Sequence, residues 1–227
     1  MKKSKRTTLS VKNLIKKFGD FTAVDSITFN AVEGEVIALL GPNGAGKSTL
    51  MNMLVGFLAP TKGSIEILGK KIEDAPMVAR ENIGFLPEGS PLYSDMTVKQ
   101  FLNYMAELKS VSKDKLAEII QKAKIEEVLN QKIETLSKGY QRRVGFAQSI
   151  LSNPPILLLD EPTDGLDPNQ KEHIRKLISE MGKEKTILIS THLLDEAETI
   201  ADRIILINKG KIIADSTAVE IIKLAKA

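Results

Sequence analysis

The sequence predicts an α/β fold: a mostly parallel sheet covered on both faces by helices, with an antiparallel β part toward the N-terminus and a helical stretch inserted between. Three observations predict it. Early apolar residues alternate with polar ones, at Leu9 and Val11, at Ile27, Phe29 and Ala31, and at Ile65 and Ile67. Such strands suit a sheet with one wet face, which favours antiparallel pairing. Later runs are continuous, from Ile156 to Leu159, Ile187 to Ile189 and Ile204 to Ile207, as parallel strands buried on both faces are. Helical patterns such as Pro168 to Met181 separate them, so this half reads as βαβ units. Between the two kinds of strand, Val98, Phe101, Leu102, Met105 and Leu108 fall on one helical face and Leu116, Ile119, Ile120 and Ala123 on another. The expected organisation is a single domain, residues 1–227, with a core of 1–87 and 154–227 and a helical insert of 88–153.

A loop in the first half gives that core a task. In EVIALLGPNGAGKSTL, residues 35–50, an apolar run from Val36 to Leu40 leads into Gly41, Pro42, Asn43, Gly44, Ala45, Gly46, Lys47, Ser48 and Thr49, and then into Leu50, Met53, Leu54, Phe57 and Leu58 at helical spacing. GxxxxGK[ST] between a strand and a helix is the phosphate-binding loop of the P-loop NTPases. Glycines at 41, 44 and 46 let successive backbone N–H groups approach phosphate oxygens with no Cβ in the way. The helix opening near Lys47 adds free N–H groups and the positive end of its dipole. Lys47 is placed to reach the outer phosphates and the Ser48 hydroxyl to hold Mg²⁺.

Bulk composition narrows the setting. Among 227 residues, 32 Lys and Arg face 29 Asp and Glu, so a strongly electrostatic partner such as duplex nucleic acid is not implied. The start, MKKSKR, is followed by no apolar stretch and reads as a solvated tail rather than a signal peptide. With no cysteine, disulfides and thiolate metal sites are excluded. Apolar runs are too short to span a bilayer.

Further residues cluster chemically. ILLLDEP, 156–162, brings Asp160 and Glu161 to the C-terminal end of a strand, where ligands of open α/β sheets bind. There Asp160 can accept a bond from a Mg²⁺-bound water and Glu161 can orient or deprotonate the attacking water, the two side chains pointing differently because strand side chains alternate. THLLDEAE, 191–198, follows the next buried strand; His192 can contact the γ-phosphate there, or Thr191 or His192 can cap a helix. His173 sits between Glu172 and Ile174 and reads as solvated. TLSKGYQRR, 135–143, precedes another helix. Ser137 is an obvious N-cap, and Ser137 with Gly139 also makes a second anion-binding helix end. One nucleotide needs only one such site. Two chains facing head to tail account for the second, with DGLDP, 164–168, at the contact and Asp167 before Pro168 as a cap and N1 pair.

GPNGAGKST, LSKGYQ, ILLLDEPTDGLD and the histidine of STH, in this order over nearly the whole chain, resemble the ATP-binding subunits of ATP-binding-cassette (ABC) transporters. The resemblance implies that Phe18 in KKFG stacks on adenine. It implies that the signature Ser137, Lys138, Gly139, Tyr140 and Gln141 closes on ATP held by a partner chain and that Asp167 belongs to the loop crossing that interface. It makes Glu161 the general base and His192 the switch histidine, with ATP and Mg²⁺ as cofactors. The implied partners are a second ATP-binding subunit, joined as a homodimer on ATP binding, and transmembrane permease subunits, which place the chain on the cytoplasmic face of the membrane. No nucleic acid is expected.

Two departures mark this chain. Lys138 and Tyr140 replace the third and fifth residues of the usual Leu-Ser-Gly-Gly-Gln. In FLPEGSPLY, Glu88 stands where most members carry the glutamine that senses Mg²⁺ and the transport domain, and it joins Ser48 and Asp160 as a metal candidate. With IGFLPEGSPLYSDMTV these departures look like the branch whose partners are ABC-2 exporter subunits, including multidrug, sodium and gliding-motility-associated systems. Many members of that branch carry a C-terminal extension, whereas this chain stops soon after a helix near Val219 to Leu224. In the family, the groove around Ser90 to Met96, with Pro91, Leu92 and Tyr93, receives a helix of the membrane subunit. The alternative is a soluble ABC ATPase acting on nucleic acid or ribosomes; long coiled coils, zinc cysteines or a second cassette would mark it, and none is visible. A guanine-specific P-loop protein is not supported either, because Lys211 in Asn208-Lys209-Gly210-Lys211 stands where the base-reading acid belongs.

Overall fold

A computed structural model describes residues 5–90 and 92–225, the side chains of 79, 80, 222, 224 and 225 excepted; Pro91 of the expected docking loop and the first four residues of the basic start lie outside the described residues. Strands β1 (Thr7–Phe18), β2 (Phe21–Val32) and β3 (Glu35–Leu40) lead through the glycine-rich loop to α1 (Lys47–Leu54). Then come β4 (Lys62–Ile67), β5 (Lys70–Lys71), α2 (Pro76–Asn82) and β6 (Ile83–Leu86). Helices α3 (Val98–Leu108), α4 (Lys113–Ala123) and α5 (Lys138–Ile150) follow without an intervening strand. The chain returns through β7 (Ile156–Asp160), α6 (Pro168–Met181), β8 (Thr186–Thr191), α7 (Leu194–Ile200), β9 (Arg203–Asn208), β10 (Lys211–Thr217) and α8 (Ala218–Ala225).

The two strand patterns sort into two sheets. The alternating strands form an antiparallel sheet of order β2-β1-β4-β5, and the continuous ones a sheet of order β10-β9-β3-β8-β7-β6, parallel except for the β9–β10 hairpin. Buried strands explain the continuous runs. On β3, Val36, Ala38 and Leu40 enter a core shared with the helices, while Ile37 and Leu39 enter a second core facing the antiparallel sheet and α1. Leu157 and Leu159 of β7 likewise face the first core, and Ile156 and Leu158 the second. Because side chains alternate along a strand, a doubly covered strand must be apolar at every position.

Helix ends carry their own signals. Thr97 accepts a bond from the Gln100 amide while the Gln100 side chain accepts one from Thr97, a capping box at the start of α3. Ser112 caps α4, Ser137 caps α5, and Asp167 with Pro168 opens α6. Each such cap is worth about 1 kcal/mol. Two glycines let α5 lie close on β6: a Cβ at Gly84 would come within 2.0 Å of the Ser149 carbonyl oxygen, and one at Gly145 within 2.9 Å of Leu86 and 3.0 Å of the Ser90 hydroxyl. The helix carrying the signature is thereby pressed onto the strand that delivers Glu88.

Candidate active site

The phosphate loop is held in shape by backbone around it. Gly46, the N-cap of α1, has φ +104°, and a Cβ there would meet the Ala23 carbonyl oxygen at 2.4 Å. At Gly41 a Cβ would meet the Ile207 carbonyl oxygen at 2.2 Å. The Asn208–Lys211 turn, which has no base-reading role to play, supports the loop instead: Gly210 donates its N–H to the Ala45 carbonyl at 2.9 Å. Lys47 is only 6 % exposed, and its ammonium donates to the carbonyls of Gly41 at 2.7 Å and Pro42 at 3.1 Å. No side chain caps α1 and no acid lies in its first turn, so its free N–H groups and dipole are left to an anion.

A cavity of about 420 Å³ opens over this loop, walled by Asn43 through Thr49 and by Glu88, Glu161, Ala23 and Phe21. The aromatic in its wall is Phe21, the cross-strand neighbour of Phe18. Phe18 and Phe21 pair directly across the β1–β2 hairpin, but the wall is formed by Phe21, 64 % exposed, while Phe18 is 50 % exposed beneath the Lys16 ammonium, 5.1 Å from its ring centre.

The acids diverge for a reason other than strand alternation. β7 ends at Asp160, and Glu161 leaves it with φ +50°, a left-handed conformation that costs on the order of 1–3 kcal/mol in a residue with a Cβ. The turn aims the Glu161 carboxylate into the cavity wall. Asp160 stays below, 2 % exposed, where its carboxylate accepts a bond from the Ser190 hydroxyl. Ser190 also receives the Glu161 N–H, at 2.9 Å on its hydroxyl, so one residue of β8 orders both acids. His192 joins them: its Nδ1 lies 3.1 and 3.2 Å from the two Glu161 carboxylate oxygens. With Glu161 ionised, that contact requires the proton on Nδ1. Burial pushes the Glu161 carboxyl above its ordinary range, opposed by the His192 bond and by Lys47. A base drawn toward neutrality in this way is a common feature of reactive sites.

Among the described residues no three acidic, His or Cys side chains converge into a metal cage. The donors present suit Mg²⁺ nonetheless, since that ion keeps several waters and binds through one or two carboxylates plus substrate phosphates. Ser48 and Glu88 stand in the cavity wall, with Asp160 behind.

The signature residues are absent from this wall. Ser137 caps α5 through the Tyr140 amide at 3.4 Å and is exposed. Gly139 is buried against α6, where a Cβ would come within 2.7 Å of the Gln170 side-chain oxygen. Tyr140 turns inward, its hydroxyl donating to Glu127 and its ring under the Arg143 guanidinium at 4.0 Å. Gln141 donates to the carbonyls of Ile133 at 3.1 Å and Leu136 at 3.3 Å. Tyr140 and Gln141 thus brace the segment before α5 from behind, and Ser137 and Lys138 are left at the surface. Asp167 caps α6 through the Gln170 amide at 2.9 Å. His173, expected to be merely solvated, has its Nε2 2.7 Å from the Lys122 carbonyl oxygen.

A smaller cavity, about 170 Å³, adjoins the first and shares Glu88 and Glu161 with it; Ser90, Lys138, Gln141, Arg142 and Asp164 complete most of its wall. Arg142, which the sequence did not single out, is its buried cation.

Comparison with known proteins agrees with the geometry. The family model described as ABC transporter matches residues 24–164. The chain is 38 % identical over 208 residues to the uncharacterized ABC transporter ATP-binding protein YxlF of Bacillus subtilis (strain 168), covering 90 % of this chain and 69 % of that one. It is 36 % identical over 213 residues to the Nod factor export ATP-binding protein I of Burkholderia orbicola (strain AU 1054), covering 91 % and 70 %. In three dimensions it matches an ATP-binding cassette solved as a dimer in a post-hydrolysis state bound to ADP and Pi, with a TM-score of 0.86, 29 % identity, and coverage of 92 % and 98 %. A phosphate loop held open by backbone, a half-buried acid paired with histidine beside it, and this likeness in sequence and shape lead to one conclusion: the chain belongs to the ABC transporter family as an ATP-binding, ATP-hydrolysing subunit.

Proposed function

We propose that the chain is the ATP-driven motor of an exporter, working as a pair of cassettes on separate transmembrane subunits. The observation that carries the hydrolytic part is the Glu161 carboxylate in the cavity wall, with His192 Nδ1 at 3.1 Å and Lys47 close enough to act on its charge. ATP places its triphosphate on the loop from Gly41 to Thr49, and Lys47 exchanges its carbonyl partners for phosphate oxygens. The base rests at the Phe18–Phe21 corner. Ser48, with Glu88 and Asp160 nearby, would hold Mg²⁺, which would supply charge neutralisation to the triphosphate. Glu161 takes a proton from water as that water's oxygen bonds to the γ-phosphorus, and the bond to the β–γ bridging oxygen breaks, leaving ADP and phosphate. His192 orients the carboxylate and contacts the γ-phosphate.

The exposed Ser137 end of α5, with no nucleotide wall of its own to complete, supports contact with ATP on a second cassette, and Asp167 stands at the loop that would cross between them. The division into a core of residues 1–87 and 154–227 and a helical insert of 88–153 belongs to the same reading. Among the described residues no helix is long and apolar enough to cross a membrane; in this reading the membrane path belongs to transmembrane subunits. The start of α3 offers them a surface: Tyr93, 55 % exposed, stacks edge-on against Phe101 and Tyr104 at 6.0 and 6.1 Å. The relative named for Nod factor export favours an exporter over a soluble ATPase acting on nucleic acid or ribosomes.

The test is phosphate release by the wild-type chain and by Glu161→Gln. Removing a general base lowers turnover by about two to four orders of magnitude, while binding of the fluorescent analogue MANT-ATP persists. Turnover close to wild type in the variant contradicts the assignment of Glu161.

A further inference from the structure

Arg142 joins two pieces of backbone that the hydrolytic reading treats separately. One guanidinium nitrogen donates to the Pro87 carbonyl at 2.7 Å and to the Ser90 hydroxyl at 2.8 Å, at either end of the turn that carries Glu88. The other donates to the Asp160 carbonyl and, at 2.8 Å, to the Glu161 carbonyl. Ser90, with φ +42°, and Glu161, with φ +50°, are both left-handed residues with side chains. A single planar fork therefore holds two strained turns, the ones that present Glu88 and Glu161 to the cavity.

Charge gives the same residue a second task. Arg142 is 5 % exposed and lies among the carboxylates of Asp160, Asp164, Glu161 and Glu88. It lines the small cavity together with Glu88. A carboxylate facing a triphosphate is repelled by it, and a buried cation behind that carboxylate offsets the repulsion.

Resting on the hydrolytic reading above, we propose that Arg142 is a positioning residue of the site: it locks the Glu88 turn to the Glu161 carbonyl and supplies the positive charge that lets a carboxylate stand at position 88. The two tasks separate experimentally. The fork geometry governs turnover, because it fixes where Glu161 sits. The charge governs nucleotide affinity, because it offsets Glu88.

The experiment measures MANT-ATP affinity and the kcat and KM of phosphate release for the wild type, Arg142→Gln, Arg142→Lys, Glu88→Gln and the double variant Arg142→Gln/Glu88→Gln, with melting curves for each. Arg142→Gln is expected to lose about 10-fold in kcat and about fivefold in MANT-ATP affinity, the scale of coupled neighbours. Adding Glu88→Gln returns affinity to within about twofold of wild type and leaves kcat low, because the carboxylate is gone but the fork is not restored. Arg142→Lys keeps the charge and the affinity, with kcat between the other two, since an ammonium cannot reproduce the fork. A folded Arg142→Gln with wild-type kcat and affinity overturns the inference, as does a double variant that binds no more tightly than Arg142→Gln. Where Arg142→Gln does not fold, Arg142→Lys decides: wild-type kcat there overturns the positioning role. A wild-type chain that binds no MANT-ATP contradicts the hydrolytic reading itself and this inference with it, whereas normal wild-type binding with purely additive effects contradicts the inference alone.

Discussion

The phosphate loop and the signature stretch are both glycine-containing helix starts, yet they are built in opposite ways. Around the loop, neighbouring backbone closes in: Ala23, Ile207 and Gly210 press on Gly46, Gly41 and Ala45, and Lys47 is tethered to carbonyls of the loop itself. Around the signature, support comes from behind, through Gln141 to Ile133 and Leu136 and through Tyr140 to Glu127 and Arg143, and from α6 against Gly139. The first region is a finished half of a site that can bind by itself. The second is a braced surface whose function depends on what meets it.

The largest effect is expected at Lys47: replacing it with alanine removes a charged hydrogen-bond donor worth ~1.5–3 kcal/mol, so MANT-ATP affinity falls about 10- to 100-fold. Unchanged affinity there would mean that the loop does not hold the triphosphate through Lys47. Gly46→Ala should destabilise the fold by about 1–3 kcal/mol, because the left-handed backbone and the Ala23 carbonyl at 2.4 Å both resist a Cβ. Gly44→Ala separates these causes, since Gly44 has φ +77° and open space around it; its smaller loss in thermal unfolding isolates the conformational share.

Glu161 gives a pH signature. Its carboxyl is raised in the folded chain, so stability from the protonated group is fully present below the unfolded-state value and is lost as pH rises through the folded value. The melting temperature of wild type relative to Glu161→Gln should therefore decline as pH rises through that window. The acid limb of wild-type turnover should also lie above the ordinary glutamate value of 4.5. A melting difference independent of pH would show that burial does not set the charge of this residue. The smallest effect is expected behind the signature, where Tyr140→Phe removes a bond to an exposed carboxylate and costs less than about 1 kcal/mol by chemical denaturation. A larger cost would mean that this surface is as tightly built as the phosphate loop.

What the sequence disclosed follows the range of the forces involved. The alternation of Leu9 and Val11 and the unbroken run from Ile156 to Leu159 report burial on one face or two, and the sheets divide accordingly. Ser137 and Asp167 act within three residues of themselves, so their caps were visible in the spacing. The seven-residue α2 begins at Pro76 without an apolar stripe to announce it. The left-handed turn at Glu161 depends on Ser190 and Arg142, 29 and 19 residues away, and nothing local to DEP encodes it. The choice of Phe21 over Phe18 in the cavity wall similarly depends on how a hairpin end meets another sheet. Arg142 looked like one basic residue among several in KGYQRR; only the approach of α5 to β6 across Gly84 and Gly145 gives it partners.

In this arrangement the surface at Ser137 completes a nucleotide site on another cassette. The most direct measurement is the mass in solution of the Glu161→Gln chain, by light scattering after size exclusion, with and without Mg-ATP and with Ser137→Arg added as a second variant. The expected result is a monomer without nucleotide, a dimer with Mg-ATP, and a monomer again when Ser137→Arg blocks the surface while MANT-ATP binding persists. A Glu161→Gln chain that binds ATP yet stays monomeric, or a dimer indifferent to Ser137→Arg, would contradict it.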